Sequence, residues 1–173
     1  MEDRSNGYEA LAPLFIAGRT LIGVATVRDW CHTLRPGATV LDLGCGSGIP
    51  ISQVLLEYGF VVYGVDASVS MTAAFAARFP QAVVACEAVE DSAFFERQFE
   101  AVISWGLFFL LPIATQLTLI HKVAAVLKPG GRLLFTAPSQ IGEWTDNLTG
   151  LPSWSPGAEL FNVNNEDPAL NRL

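Results

Sequence analysis

Val40-Leu41-Asp42-Leu43-Gly44-Cys45-Gly46-Ser47-Gly48 is the stretch that decides how this chain folds. An apolar run passes directly into three alternate glycines, and Ile49–Tyr58 then carries helical spacing, so it reads as strand, side-chain-poor turn and helix. Working outward, strands are predicted at Thr39–Leu43, Val61–Val65, Ala82–Cys86, Ala101–Ser104 and Arg132–Thr136. Helices fit between them at Ile49–Tyr58, Val69–Arg78 and Ala114–Leu127. The strand runs are apolar on both faces, as a parallel sheet covered by helices requires. Gly59 ends the first of these helices, Pro80 follows the second, and Lys128-Pro129-Gly130-Gly131 closes the third.

The expected class is therefore α/β, a Rossmann-like, doubly wound, mostly parallel sheet with flanking helices. One domain over 1–173 is predicted. Residues 1–35 form a helical lid (Tyr8–Ala17 and Thr20–Leu34), 36–138 the core, and 139–173 an irregular tail, because Pro138, Gly142, Gly150, Pro152, Pro156, Gly157 and Pro168 interrupt regular elements. The C-terminal strands are read as missing or shortened, with no strand pattern over Asn162–Leu173. The edge at Leu133–Phe135 is then open unless the tail or a second copy covers it, so a homodimer through the fifth strand is expected.

The 173 residues are 51% hydrophobic and 16% charged, ample material for one core. A net charge of −7 and the lack of a Lys/Arg cluster argue against a surface that tracks phosphates, so a small-molecule partner is expected rather than nucleic acid. Met1-Glu2-Asp3-Arg4 is acidic where a secretory leader is basic, and Arg19 breaks the apolar stretch after it, which predicts a cytoplasmic protein. Cys31, Cys45 and Cys86 make neither a CxxC pair nor a zinc set and read as reduced thiols, with no metal. Ala101–Ile120 is uncharged and about as long as a membrane span. Pro112 interrupts it, and Ser104, Thr115, Gln116 and Thr118 dilute it, so it reads as a buried strand followed by a helix.

Glycines at a strand-to-helix turn let the backbone close on a ligand, but such a loop alone is weak evidence. Asp66 sharpens it, ending the second strand 18 positions after Gly48. A carboxylate there can accept both hydroxyls of a ribose, so loop and acid together describe a nucleoside pocket. The competing dinucleotide fingerprint, Gly-x-Gly-x-x-Gly, is broken: its third glycine would fall at Ile49 or Ile51.

With these pieces in order, the sequence resembles a class I S-adenosylmethionine-dependent methyltransferase over Tyr8 to Pro138. The resemblance rests on Asp42 to Gly48, Asp66, Cys86-Glu87-Ala88, Ser104-Trp105-Gly106 and Leu127-Lys128-Pro129-Gly130-Gly131. It implies S-adenosylmethionine as cofactor, S-adenosylhomocysteine as product, and in-line methyl transfer to a small molecule. By that resemblance Gly44 and Gly46 lie along the methionine and ribose, in a loop completed by Asp42, Cys45 and Gly48. Asp66, followed by Ala67 and Met71, holds the ribose; Glu87 and Ala88 flank the adenine; Ser104 and Trp105 sit near the sulfonium. Tyr8 and Arg19 cover the cofactor and pair with its carboxylate, and Trp144–Gly150 resembles an acceptor-side loop. A short C-terminus keeps a second reading open, a cofactor-binding but catalytically incomplete partner domain; a dinucleotide oxidoreductase is the third.

Each residue also has a plainer role. Asp42 can hold the glycine loop by hydrogen bonds without touching a cofactor, and Asp66 can cap the helix at Val69, although Ser68 is available for that. Glu87, Glu90 and Asp91 can be a solvated acidic turn, and Trp105, Phe108 and Phe109 core aromatics. His32 and His121 read as packing or surface residues, and Cys45 as a small side chain in a close turn. No catalytic residue carries a motif; His32, Glu143 and Asp146 are the available general bases should the acceptor be an alcohol or phenol.

Overall fold

The computed structural model describes residues 3–18 and 21–157. Helices α1 (Tyr8–Ala17) and α2 (Val24–Cys31) precede an alternation of β1 (Thr39–Leu43), α3 (Ile51–Glu57), β2 (Val61–Asp66), α4 (Val69–Arg78), β3 (Val83–Cys86), β4 (Phe99–Ser104), α5 (Ile113–Val126) and β5 (Leu127–Phe135). These five strands make one parallel sheet in the order β3-β2-β1-β4-β5. Strands β6 (Ile141–Thr145) and β7 (Pro152–Pro156) pair with each other, antiparallel, in a sheet of their own.

The period of two along a strand sorts the apolar residues onto two faces. Val40, Val62, Ala101 and Ile103 pack with Val27, Leu55 and Phe75 beneath α2, α3 and α4. Leu41, Leu43, Val65 and Val102 pack with Leu119 and Val123 beneath α5. Each of the Val, Leu, Ile and Phe side chains taken out of water stabilises the fold by roughly 1.5–3 kcal/mol, and that double burial is why the strands read as continuous apolar runs. From β1 the sheet grows one way through β2 and β3 and the other way through β4 and β5. The direction reverses between β1 and β4, and a crevice opens beyond their carboxyl ends, where open α/β sheets bind ligands.

The predicted α/β class and all five core strands are present, with shifted boundaries. Helix α2 begins at Val24 rather than Thr20, after a left-handed Gly23. Helix α3 begins at Ile51 rather than Ile49, because Pro50 occupies its N-cap. Lys128-Pro129-Gly130-Gly131 is not a separate turn before β5 but a bulge within it: between the pairs Phe99–Leu127 and Ala101–Arg132, β5 advances five residues while β4 advances two. The tail expected to be irregular contains a hairpin, running from the pair Ile141–Pro156 to the pair Thr145–Pro152. Its prolines sit at strand ends, where a missing N–H costs little. Because the hairpin forms its own sheet, β5 remains an edge among the described residues. The reading of Asn162–Leu173 lies outside them. No helix of the described residues is long and apolar enough to cross a membrane.

Candidate functional site

A cavity of about 330 Å³ lies at that crevice. Gly44, Gly46, Asp66 and Ala67 border it from the ends of β1 and β2, and Met71 from α4. Ala88, Val89 and Glu90 border it from the loop after β3, and Trp105 to Leu107 from the loop after β4. Helix α1 closes it with Tyr8 and Phe15, and the turn between β6 and β7 with Leu148.

The loop is shaped by its glycines. Gly44 has φ +69°, and a Cβ there would come within 3.0 Å of the Leu107 Cβ; Gly48 has φ +80°, and its Cβ would lie 2.5 Å from a Phe79 ring carbon. Both positions are therefore closed to side chains. Asp66 fixes the loop from the neighbouring strand, accepting the Gly46 N–H at Oδ2 (2.8 Å) and the Ser68 N–H at Oδ1 (2.8 Å). The cap of α4 falls to Ser68, whose hydroxyl accepts the Met71 N–H at 3.1 Å. Asp66 is thus released from capping.

Several predicted residues lie behind the cavity wall instead of in it. Asp42 shares the parity of Val40 and points under α3, where it accepts the Ser52 hydroxyl at 2.6 Å; both are buried. Cys45 is packed against Gly64, and burial, then the charges of Asp42 and Asp66, push its thiol up, so it is no nucleophile. Gly48 lies against Phe75 and Phe79. Glu87 accepts the Ser92 hydroxyl at 2.6 Å and so ties the turn to itself, while its N–H donates to the Asp66 carbonyl. Ser104 is fully buried, donating its hydroxyl to the Leu43 carbonyl at 3.1 Å across the β1–β4 pair. Of the aromatics after β4, Trp105 and Phe109 border the cavity, and Phe108 belongs to the core against Phe135. His32 bonds Tyr58, and neither His32 nor His121 borders the cavity. Arg19 lies outside the described residues.

Two anchoring bonds had no sequence signal, although Tyr8 and Asp146 were themselves candidate site residues. Glu9 clasps the start of α4, accepting the hydroxyls of Ser68 and Ser70 at 2.5 Å each and the Ser70 N–H at 3.1 Å. Those hydroxyls, Ser68 first, hold its carboxyl below the ordinary value. Tyr8 donates its hydroxyl to Asp146 Oδ2 at 2.9 Å and so ties α1 to the β6–β7 turn. Its proton is thereby directed at a carboxylate rather than toward a cofactor carboxylate. Among the described residues, no group of three or more His, Cys, Asp or Glu could hold a metal ion.

A family model described as a methyltransferase domain matches residues 40–131, more than half of the chain. The cypemycin N-terminal methyltransferase of a Streptomyces species is 33% identical over 135 residues, covering 75% of this chain and 52% of that protein. The demethylmenaquinone methyltransferase of Mycobacterium bovis (strain BCG / Pasteur 1173P2) is 32% identical over 148 residues, covering 79% of this chain and 60% of that protein. The chain thus spans little more than half the length of these curated relatives. A TehB-like SAM-dependent methyltransferase from Corynebacterium glutamicum has the same fold, with a TM-score of 0.62 at 18% identity over 87% of this chain and 95% of that one.

Proposed function

The chain belongs to the family of methyltransferase domains, and we propose that it transfers a methyl group from S-adenosylmethionine to a small-molecule acceptor by in-line displacement. The observation that carries this reading is the Asp66–Gly46 hydrogen bond at the rim of the cavity, which sets a carboxylate beside a backbone stripped of side chains. A carboxylate has about four acceptor positions, so fixing the loop and receiving a ribose diol are compatible. Ala67, Met71, Ala88 and Val89 offer an apolar slot for the base. The family member that acts, by its name, on demethylmenaquinone supports a small acceptor.

When bound, the cofactor supplies a methyl carbon already activated by its sulfonium. What remains for this chain is to hold the acceptor in line and keep water out, and such positioning is worth roughly 7–11 kcal/mol. Trp105, Leu107, Phe109 and Leu110 make the wall that excludes water. Calorimetry with S-adenosylhomocysteine and with NAD tests this function: the thioether nucleoside binds and the dinucleotide does not, and the reverse order contradicts it.

A further inference from the structure

We propose that the cavity accepts an arylalkyl amine as methyl acceptor, its nitrogen held by the Tyr8 hydroxyl that Asp146 orients. The inference rests on the methyl-transfer function proposed above. Tyr8 borders the cavity together with Phe15, Trp105 and Phe109. Because its hydroxyl donates to Asp146 at 2.9 Å, the phenolic oxygen meets a ligand as a hydrogen-bond acceptor and selects a group rich in N–H. Asp146 is itself fixed: Oδ1 accepts the Leu148 N–H at 2.8 Å and Oδ2 the Thr149 hydroxyl at 3.2 Å. Burial pushes its carboxyl up, but the Leu148 N–H and the Tyr8 and Thr149 hydroxyls outweigh it and hold the group below its ordinary value. Such a carboxylate is a poor proton acceptor and a good neighbour for positive charge.

The chemistry separates an amine from an alcohol or phenol. Among the described lining residues there is no histidine or lysine, and Arg4 is engaged with Glu90 (3.8 Å) and Asp91 (3.1 Å). The carboxylates that line the cavity are held by other groups, Asp66 by the Gly46 and Ser68 N–H groups and Glu90 by Arg4, so among the described residues a hydroxyl acceptor, which loses its proton as it attacks, finds no base turned to that task. An ammonium sheds one proton to water before attack. The lone pair of the neutral amine then forms the N–C bond while the C–S bond breaks and its electron pair passes to sulfur. Positive charge moves from sulfur to nitrogen, where the Tyr8–Asp146 pair stabilises it, and the methylated ammonium returns its extra proton to water. Tyr8 touches the acceptor, and Asp146 is a positioning residue acting through it.

The test is calorimetry on the full chain saturated with S-adenosylhomocysteine, titrated with phenethylamine and with the isosteric phenethyl alcohol. The amine binds about tenfold or more tighter, and the preference shrinks to within about threefold in Asp146→Asn and in Tyr8→Phe, each measured at saturating S-adenosylhomocysteine. Asparagine keeps an acceptor for the Leu148 N–H, so the turn survives, and Tyr8→Phe gives an independent arm should Asp146→Asn misfold. Equal affinity for the two probes, binding of neither, or a preference retained in the variants overturns the proposal. Loss of S-adenosylhomocysteine affinity in both variants overturns it too, because the pair then reads the cofactor's own ammonium. A wild-type chain that fails to bind S-adenosylhomocysteine removes the methyl-transfer function first, and this inference with it.

Discussion

Asp66→Asn isolates the feature on which the nucleoside site depends. Asp66 accepts two backbone N–H groups, from Gly46 and Ser68, each at 2.8 Å. Asparagine has one acceptor oxygen, so it keeps one of these bonds and turns its own NH₂ toward the other N–H. A hydrogen bond to a charged group is worth roughly 1.5–3 kcal/mol, which is the expected loss in folding stability. A similar loss applies where the ribose hydroxyls give up a charged acceptor, and 1.5–3 kcal/mol corresponds to about ten- to a hundredfold in Kd. Titration calorimetry with S-adenosylhomocysteine reads the second number, and urea unfolding the first. A folded Asp66→Asn protein that binds the nucleoside as tightly as wild type would refute the ribose role.

Three further outcomes follow from the surroundings of the site. Gly48→Ala puts a Cβ 2.5 Å from Phe79 at φ +80°; left-handed strain of about 1–2 kcal/mol and overpacking of about 1–3 kcal/mol lower Tm, and an unchanged Tm contradicts the loop geometry. Ser52→Ala removes a donor from the buried Asp42 carboxylate and costs roughly 1.5–3 kcal/mol in denaturant unfolding, while nucleoside affinity stays as in wild type. Glu9→Gln loosens α1 and speeds amide exchange over Tyr8–Ala17. Because the Ser68 and Ser70 hydroxyls depress the Glu9 carboxyl below 4.5, the wild-type clasp is fully present above that pH and is lost as pH falls through the lower folded-state value. Amide protection factors in α1, corrected for the slower intrinsic exchange at low pH, therefore fall at acid pH in wild type, and the same fall in Glu9→Gln would show that another group governs it.

What the sequence displays are the features that local chemistry enforces. Gly44 and Gly48 stand where a Cβ has no room, and the strands run apolar because helices cover both faces, so loop, strands and Asp66 were all readable. The place of Asp42 was half readable: its parity with Val40 puts it under a helix, but nothing local names Ser52 as its partner. Bonds between distant segments left no trace. Glu9 meets Ser68 and Ser70 some 60 residues on, and Tyr8 meets Asp146 across 138. The β6–β7 hairpin was hidden by its own punctuation, since Gly142, Pro152 and Pro156 are residues that ordinarily mark loops.

The most direct test of the whole account is a crystal structure of the chain soaked with S-adenosylhomocysteine. The adenosyl group is expected in the cavity, its ribose hydroxyls within hydrogen-bond distance of the Asp66 carboxylate and its amino-acid chain against Gly44 and Gly46. Density for the nucleoside elsewhere, or a cavity holding only water at saturating ligand, would contradict it.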